Sequence, residues 1–229
     1  MRALLLAAGF GTRLRPLTDT IPKCLVPIKG QPLLDIWLER LTDAGVGPFL
    51  INTHYLARQV EAYTASSRYA DQVRLVEEKE LLGTAGTLLA NLPFFAGGDA
   101  MLIHADNYCL ADFRAFLQAH AARPPHCLMT MMTFRTATPH TCGIVELDDA
   151  GVVVAFHEKV ANPPGNLANG AIYLLSAELL AMMASDWPHV TDFSTEVMHR
   201  LVGRIYTYET GATFLDIGTP ETYAQANAS

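Results

Sequence analysis

Gly9, Gly11, Arg13, Arg15 and Lys23 are residue types that do chemistry together. Glycine lets a backbone bend tightly and leave its N–H groups uncovered, and successive uncovered amides form an anion-binding concavity. Three cations follow directly. Ahead of them Leu4, Leu5 and Leu6 form a short apolar run, as a strand buried on both faces does. A buried strand, a glycine turn and then positive charge describe a cradle for a polyphosphate.

The spacing decides which cradle. A dinucleotide fingerprint needs a third glycine three positions after Gly11, where Leu14 stands, so a dehydrogenase reading fails. A P-loop needs a Gly-Lys-Ser/Thr triplet, which is absent. Ala8 to Leu14 (Ala-Gly-Phe-Gly-Thr-Arg-Leu), Pro16 to Thr18 (Pro-Leu-Thr) and Pro22-Lys23 instead resemble the signature of the sugar-phosphate nucleotidyltransferases, or NDP-sugar pyrophosphorylases.

Further motifs extend the resemblance along the chain. Leu82 to Gly86 (Leu-Gly-Thr-Ala-Gly) is similar to the segment that closes over the nucleoside in that family; on residue types alone it is a loop and helix start capped by Thr84. Asp106 follows the apolar run Met101 to Ile103, and Asp216 follows Phe214-Leu215 within an Asp-Ile-Gly-Thr-Pro-Glu motif. Each aspartate alone could form an Asx turn. The resemblance implies instead that the two clamp one Mg2+, a hard ion suited to carboxylate and phosphate oxygens. Phe156-His157-Glu158-Lys159 resembles the family's Glu-Lys-Pro with Val160 in place of proline, and Asn169-Gly170 with Tyr173 resembles a sugar contact. Cys142-Gly143 stands where a glycine lies under the sugar.

The implied reaction is attack of a sugar 1-phosphate oxygen on the α-phosphorus of a nucleoside triphosphate, giving a nucleotide sugar and pyrophosphate. A phosphate monoester, with its second pKa at about 6, needs no general base at neutral pH. Catalysis is then positioning and charge neutralisation. The resemblance assigns Arg13 to the β- and γ-phosphates, Lys23 to the α-phosphate and Lys159 to the sugar phosphate. It places the nucleotide on Leu6, Ala7, Ala8, Gly9, Gly11, Thr12, Arg13, Lys23, Gly83, Thr84 and Ala85, and the sugar phosphate on Asn107, Gly143, Glu158, Lys159, Asn169 and Gly170. Glu77 to Glu80 ahead of the Gly-Thr-Ala-Gly segment looks most like the mannose 1-phosphate and manno-heptose 1-phosphate guanylyltransferases, which favours GTP. A uridylyl- or thymidylyltransferase acting on another hexose phosphate is the alternative. A non-catalytic subunit that senses nucleotide sugars is another, although Arg13, Lys23, Asp106, Lys159 and Asp216 are all retained.

The elements that must position these residues alternate. Leu33, Trp37, Leu41 and Ala44 recur at helical spacing between a proline start and Gly45. Strands are expected at Phe49 to Ile51, Val73 to Val76 and Met101 to Ile103, with helices near Tyr55 to Ala65, after Gly86 and from Asp112 to Ala121. Past Arg123-Pro124-Pro125 the character changes. Strands at His126 to Phe134 and Gly143 to Leu147, a turn at Asp148 to Gly151 and a strand at Val152 to Phe156 read as antiparallel. Helices at Ala177 to Ala184 and Asp192 to Leu201 and a strand at Ile205 to Tyr208 follow. The expectation is one Rossmann-like three-layer α/β/α nucleotidyltransferase domain over 1–229, with a mixed, mainly parallel sheet and a small antiparallel sugar-binding sub-layer. Residues 1–122 form its nucleotide-binding part and 123–229 its sugar-phosphate part. Ala224 to Ser229 is expected to fray.

Composition narrows the partners. A formal charge of −7 argues against nucleic acid and anionic membranes. No window is apolar enough to span a bilayer and no signal peptide precedes the first strand, so a cytoplasmic protein is expected. The four cysteines lack a C-x-x-C pair and read as reduced thiols, and the eight histidines include no zinc motif. A homo-oligomer is compatible with the sequence but is not legible in it.

Overall fold

The computed structural model describes residues 1–228. The chain begins with β1 (Arg2–Leu6), β2 (Pro27–Ile28), β3 (Gln31–Pro32), α1 (Leu33–Asp43), β4 (Phe49–Thr53), α2 (Ala57–Ser66) and β5 (Val73–Glu77). Next come α3 (Gly83–Ala90), β6 (Ala100–His104), β7 (Asn107–Cys109), α4 (Phe113–Ala121), β8 (Met129–Arg135), β9 (Gly143–Leu147) and β10 (Val153–Glu158). It closes with β11 (Leu167–Leu175), α5 (Ala177–Asp186), α6 (Met198–Leu201), β12 (Ile205–Glu209), β13 (Phe214–Asp216) and α7 (Pro220–Ala228). These pack into two compact units. The first holds Met1–Leu81, Ile103–Phe113 and the chain from Ala212 on; the second holds Leu82–Leu102 and Arg114–Gly211.

In the first unit β1, β4 and β5 run parallel, with Leu4 beside Leu50 and Ile51 beside Leu75, the Rossmann-like arrangement expected of alternating strands and helices. Leu4, Leu5, Leu50 and Ile51 are buried, as strands covered on both faces require. Helix α1 buries Leu33, Leu34, Trp37, Leu38 and Leu41, one face at helical spacing. It stops where Gly45 takes a left-handed φ of 80°. Its Trp37 Nε1 donates to the Asn107 carbonyl at 2.8 Å, tying the helix to β7. Strand β7 pairs antiparallel with β13, and that short ladder brings Asp216 beside Asn107.

In the second unit β8 lies between β11, antiparallel, and β12, parallel. β9 and β10 form the expected hairpin, closed by Asp148 Oδ1, which accepts from the Ala150 and Val152 amides. The nine-residue β11 was legible only as the Asn-Gly-x-x-Tyr motif, because that polar interruption breaks its apolar pattern; it is accommodated as a bulge between Asn169 and Tyr173.

Two expectations are corrected. Asp192 to Leu201 is not one regular α-helix: a wide π turn, Phe193–Val197, precedes the four residues of α6. The tail does not fray through Ala228. Ala226 is buried, Tyr223 donates to the Pro27 carbonyl at 2.9 Å, and Asn227 Oδ1 accepts from the Lys29 amide at 2.8 Å. Ser229 lies outside the described residues.

Candidate active site

The glycine turn after β1 is held at both ends and bare between them. Ala7 donates its amide to Asn52 Oδ1 at 2.7 Å, and the Leu14 amide donates to the Gly11 carbonyl at 3.0 Å. Among the described residues, the backbone N–H groups from Ala8 to Arg13 donate to no protein acceptor. Gly11 has φ 64°, and a Cβ there would come within 3.0 Å of Thr18 Cγ2 and 3.2 Å of Lys23 Cβ. Buried Thr18 in turn donates its hydroxyl to the Gly11 carbonyl at 2.7 Å. A loop fixed at its ends, with amides left unpaired between them, has the chemistry to take an anion.

Beside this loop lies a chain of alternating charge. Lys23 Nζ is 2.7 Å from Asp106 Oδ2 and 3.5 Å from Asp216 Oδ1, and Arg13 is 3.4 Å from Asp216 Oδ2. The Lys23 side chain is 10% exposed, against 39% and 50% for the two carboxylates, so the ammonium is the buried member. The two aspartates meet although they lie far apart in sequence: Asp216 pairs with Asn107 across β13 and β7, and the Ile217 amide donates to the Asp106 carbonyl at 3.1 Å. Burial pushes the Asp106 carboxyl up. The Lys23 ammonium, the His104 ring and the Lys23 hydrogen bond outweigh this and hold it below the usual carboxylate range. Arg15 is turned instead to Asp19, at 3.1 Å on the surface.

Sequence reasoning missed the groups that hold the turn. Asn52, the penultimate residue of β4, donates from Nδ2 to buried Glu78 Oε1 at 2.9 Å while accepting from Ala7. Phe10 rests against His54 and Tyr55, with ring centroids at 5.3 and 5.7 Å. Tyr55 and Gln59 donate to the Asp19 and Thr20 carbonyls. The corner between β4 and α2 therefore grips the glycine turn at its tip and the chain beyond it at Asp19 and Thr20. Asn52 was findable, since it follows the apolar run Phe49 to Ile51 at a strand's carboxyl end just as the aspartates do.

In the second unit, the Leu-Gly-Thr-Ala-Gly segment opens α3, but Thr84 is not its cap. The Thr191 carbonyl accepts from the Ala85 and Gly86 amides at 2.9 and 3.2 Å, while Thr84 Oγ1 accepts from the Phe193 amide at 2.7 Å. Gly83 has φ 77°, and a Cβ there would lie 2.4 Å from the Thr191 carbonyl oxygen. The small residues thus admit the 190–193 loop.

The second unit also gathers Gly143, Glu158, Lys159, Asn169 and Gly170 on the neighbouring strands β9, β10 and β11 and at the end of β10. Glu158 pairs with Gly143, where a Cβ would strike Glu158 Oε2 and the Phe156 ring at 2.8 Å. Lys159 lies 3.4 Å from Glu158 with its side chain 65% exposed. Asn169 donates to the Tyr173 hydroxyl at 2.8 Å, and its Oδ1 accepts from the amide of Ala171, which has a left-handed φ of 52°. Asn107, in the first unit, is 5% exposed.

This geometry has relatives. A mannose-1-phosphate guanylyltransferase of Mycobacterium tuberculosis is 30% identical over 99% of this chain, and a glucose-1-phosphate thymidylyltransferase of Streptomyces griseus is 33% identical over 82%. The chain spans 63% and 53% of their lengths, less than two thirds of either. A D-glycero-α-D-manno-heptose 1-phosphate guanylyltransferase of Campylobacter jejuni is 29% identical, with 97% of each chain covered. Among solved structures, HddC from Yersinia pseudotuberculosis complexed with GMP-PN superposes with a TM-score of 0.82 at 26% identity, covering 99% of this chain and 98% of that one. The sequence profile of the nucleotidyl transferase family fits residues 2–229, from the first strand through the last helix, and the chain belongs to that family.

Proposed function

We propose that the protein joins a nucleoside triphosphate, GTP, to a sugar 1-phosphate of the mannose or manno-heptose type, releasing pyrophosphate. The observation that carries this reading is the row of uncovered amides from Ala8 to Arg13 beside Lys23, Asp106 and Asp216. The choice of guanine rests on the likeness to two guanylyltransferases and to a structure complexed with GMP-PN, set against one thymidylyltransferase.

The two carboxylates suit Mg2+. Asp106 and Asp216 offer hard carboxylate oxygens, which that ion prefers alongside those of phosphate and water. Asp106 and Asp216 would hold it; when bound, it supplies positive charge against phosphate oxygens. The rest is the work of the chain. The bare amides and Arg13 take the β- and γ-phosphates, and Lys23 turns to the α-phosphate. Glu158 and Asn169 take sugar hydroxyls. Lys159, exposed beside Glu158, draws in the sugar phosphate. The incoming phosphate dianion is already deprotonated, so no side chain has to remove a proton.

The test is pyrophosphate release from GTP, dTTP, UTP and ATP, each paired with mannose, manno-heptose and glucose 1-phosphates. GTP with a manno-configured partner should turn over fastest. Preference for dTTP or UTP would overturn the base assignment. No turnover with any pair, combined with nucleotide-sugar binding, would make the chain a sensor.

A further inference from the structure

The carboxylate pair is already occupied by a cation belonging to the chain. Lys23 Nζ sits 2.7 Å from one carboxylate and 3.5 Å from the other, with its side chain nine-tenths buried. Arg13 closes the row at 3.4 Å from Asp216. Two carboxylates, one ammonium and one guanidinium sum to zero charge. A divalent ion entering this arrangement would meet no net attraction and would stand beside the ammonium at contact distance, where like charges oppose each other strongly.

Lys23 has somewhere else to go. Its Cβ lies 3.2 Å from the point a Gly11 Cβ would occupy, so its stem rises directly against the loop of bare amides. A triphosphate bound on that loop would offer the ammonium several anionic oxygens within reach of the same stem. Arg13, on the loop itself, has the same choice. Once both turn to phosphate, the carboxylates recover their full charge.

Resting on the proposed function, we propose that Lys23 is a placeholder: in the free protein it masks Asp106 and Asp216, and a polyphosphate unmasks them, so metal uptake follows nucleotide binding. Lys23 thereby acts on metal order as well as on phosphate. The masking also offsets the repulsion between two carboxylates that share one lysine.

The experiment is Mn2+ binding to the full chain without nucleotide, read by electron paramagnetic resonance of free Mn2+. Wild type should leave the ion free at concentrations where Lys23→Met takes up one equivalent, with affinity raised on the order of ten- to a hundredfold. Adding Asp106→Asn to Lys23→Met should cancel that gain. Equal affinity in wild type and Lys23→Met overturns the proposal. A variant-free reading guards against misfolding: in wild type with 15N-labelled lysine, metal-free GTP should shift the Lys23 ammonium resonance and Mg2+ alone should leave it in place. Displacement by Mg2+ alone overturns the proposal. Water-proton relaxation of enzyme-bound Mn2+·GTP separates the two failures. If Asp106→Asn changes it, the carboxylates hold metal and only the masking is wrong; if not, the metal assignment falls too.

Discussion

Asp216 stands across the β7–β13 ladder from Asn107, one residue past Asp106, so two carboxylates far apart in sequence share one lysine. Both are partly exposed and neither packs in the core. Asp106→Asn and Asp216→Asn should therefore each lower pyrophosphate release by about two to three orders of magnitude, the usual cost of losing one electrostatic group in a reacting site. Circular dichroism should show an intact fold. Unchanged turnover in either variant would show that the pair does not serve the reaction.

Asn52 joins the start of the glycine turn to Glu78 inside the first unit. Asn52→Leu keeps the volume but leaves the Ala7 amide and the Glu78 carboxylate each short of a partner. The loss should be about 1–3 kcal/mol, or a fall of about 3–10 °C in melting temperature. Because the loop loses its anchor, KM for the triphosphate should rise more than KM for the sugar phosphate. Equal effects on the two KM values would mean that Asn52 stabilises the unit without positioning the loop.

What could be read in the sequence divides along a physical line. The glycine turn after β1 and the strand-end places of Asp106 and Asp216 were legible because an apolar run that gives way to glycine or aspartate marks where a strand stops. Helix α1 was legible because Leu33, Trp37 and Leu41 recur at one helical period. The grip on the loop by Asn52, Glu78 and Phe10 was not, since each contact joins residues that share no local pattern. Thr191 was hidden for the same reason: it acts through its backbone carbonyl, which every residue type possesses. The tail was misread because its fixed points, Ala226 and Asn227, are small or polar and gain their order from Pro27 and Lys29.

Gly83 tests that hidden contact. A Cβ at φ 77° is strained by itself, and it would overlap the Thr191 carbonyl oxygen, a backbone atom that cannot swing aside. Gly83→Ala should cost about 2–4 kcal/mol and detach the 190–193 loop from α3. Hydrogen exchange should show the Ala85 and Gly86 amides losing protection. Retained protection with unchanged stability would mean that the loop bears the side chain without strain.

His120, within the second unit, gives a pH signature of its own. It is 3% exposed, with Nδ1 2.8 Å from Thr130 Oγ1. Burial and then Arg123 lower its pKa from 6.5 to about 4, against the pull of Asp99. The folded protein thus keeps His120 neutral while the unfolded chain protonates it near 6.5. Stability is full above that value and falls as pH drops from about 6.5 to about 4, at on the order of 1 kcal/mol per pH unit. Urea midpoints across this window should fall for wild type and flatten for His120→Gln, which retains a group able to bond Thr130. Parallel curves would show that other groups set the acid limb.

Gly218 separates loss of phosphate recognition from loss of fold. A Cβ there would lie 2.9 Å from an Arg13 guanidinium nitrogen and 3.0 Å from Asp216 Oδ2. Both are ends of movable, half-exposed side chains, so the overlap is relieved by pushing Arg13 away from Asp216. An exposed ion pair contributes at most about 1 kcal/mol, so Gly218→Ala should melt within a few degrees of wild type. The methyl would crowd the guanidinium itself and divert it, so Arg13 would reach the phosphates less well and would also lose Asp216. The expected outcome is a KM for triphosphate raised about tenfold with the KM for sugar phosphate unchanged, since only the guanidinium has moved. A rise in the sugar-phosphate KM alone would place Arg13 with the other substrate and reverse its assignment.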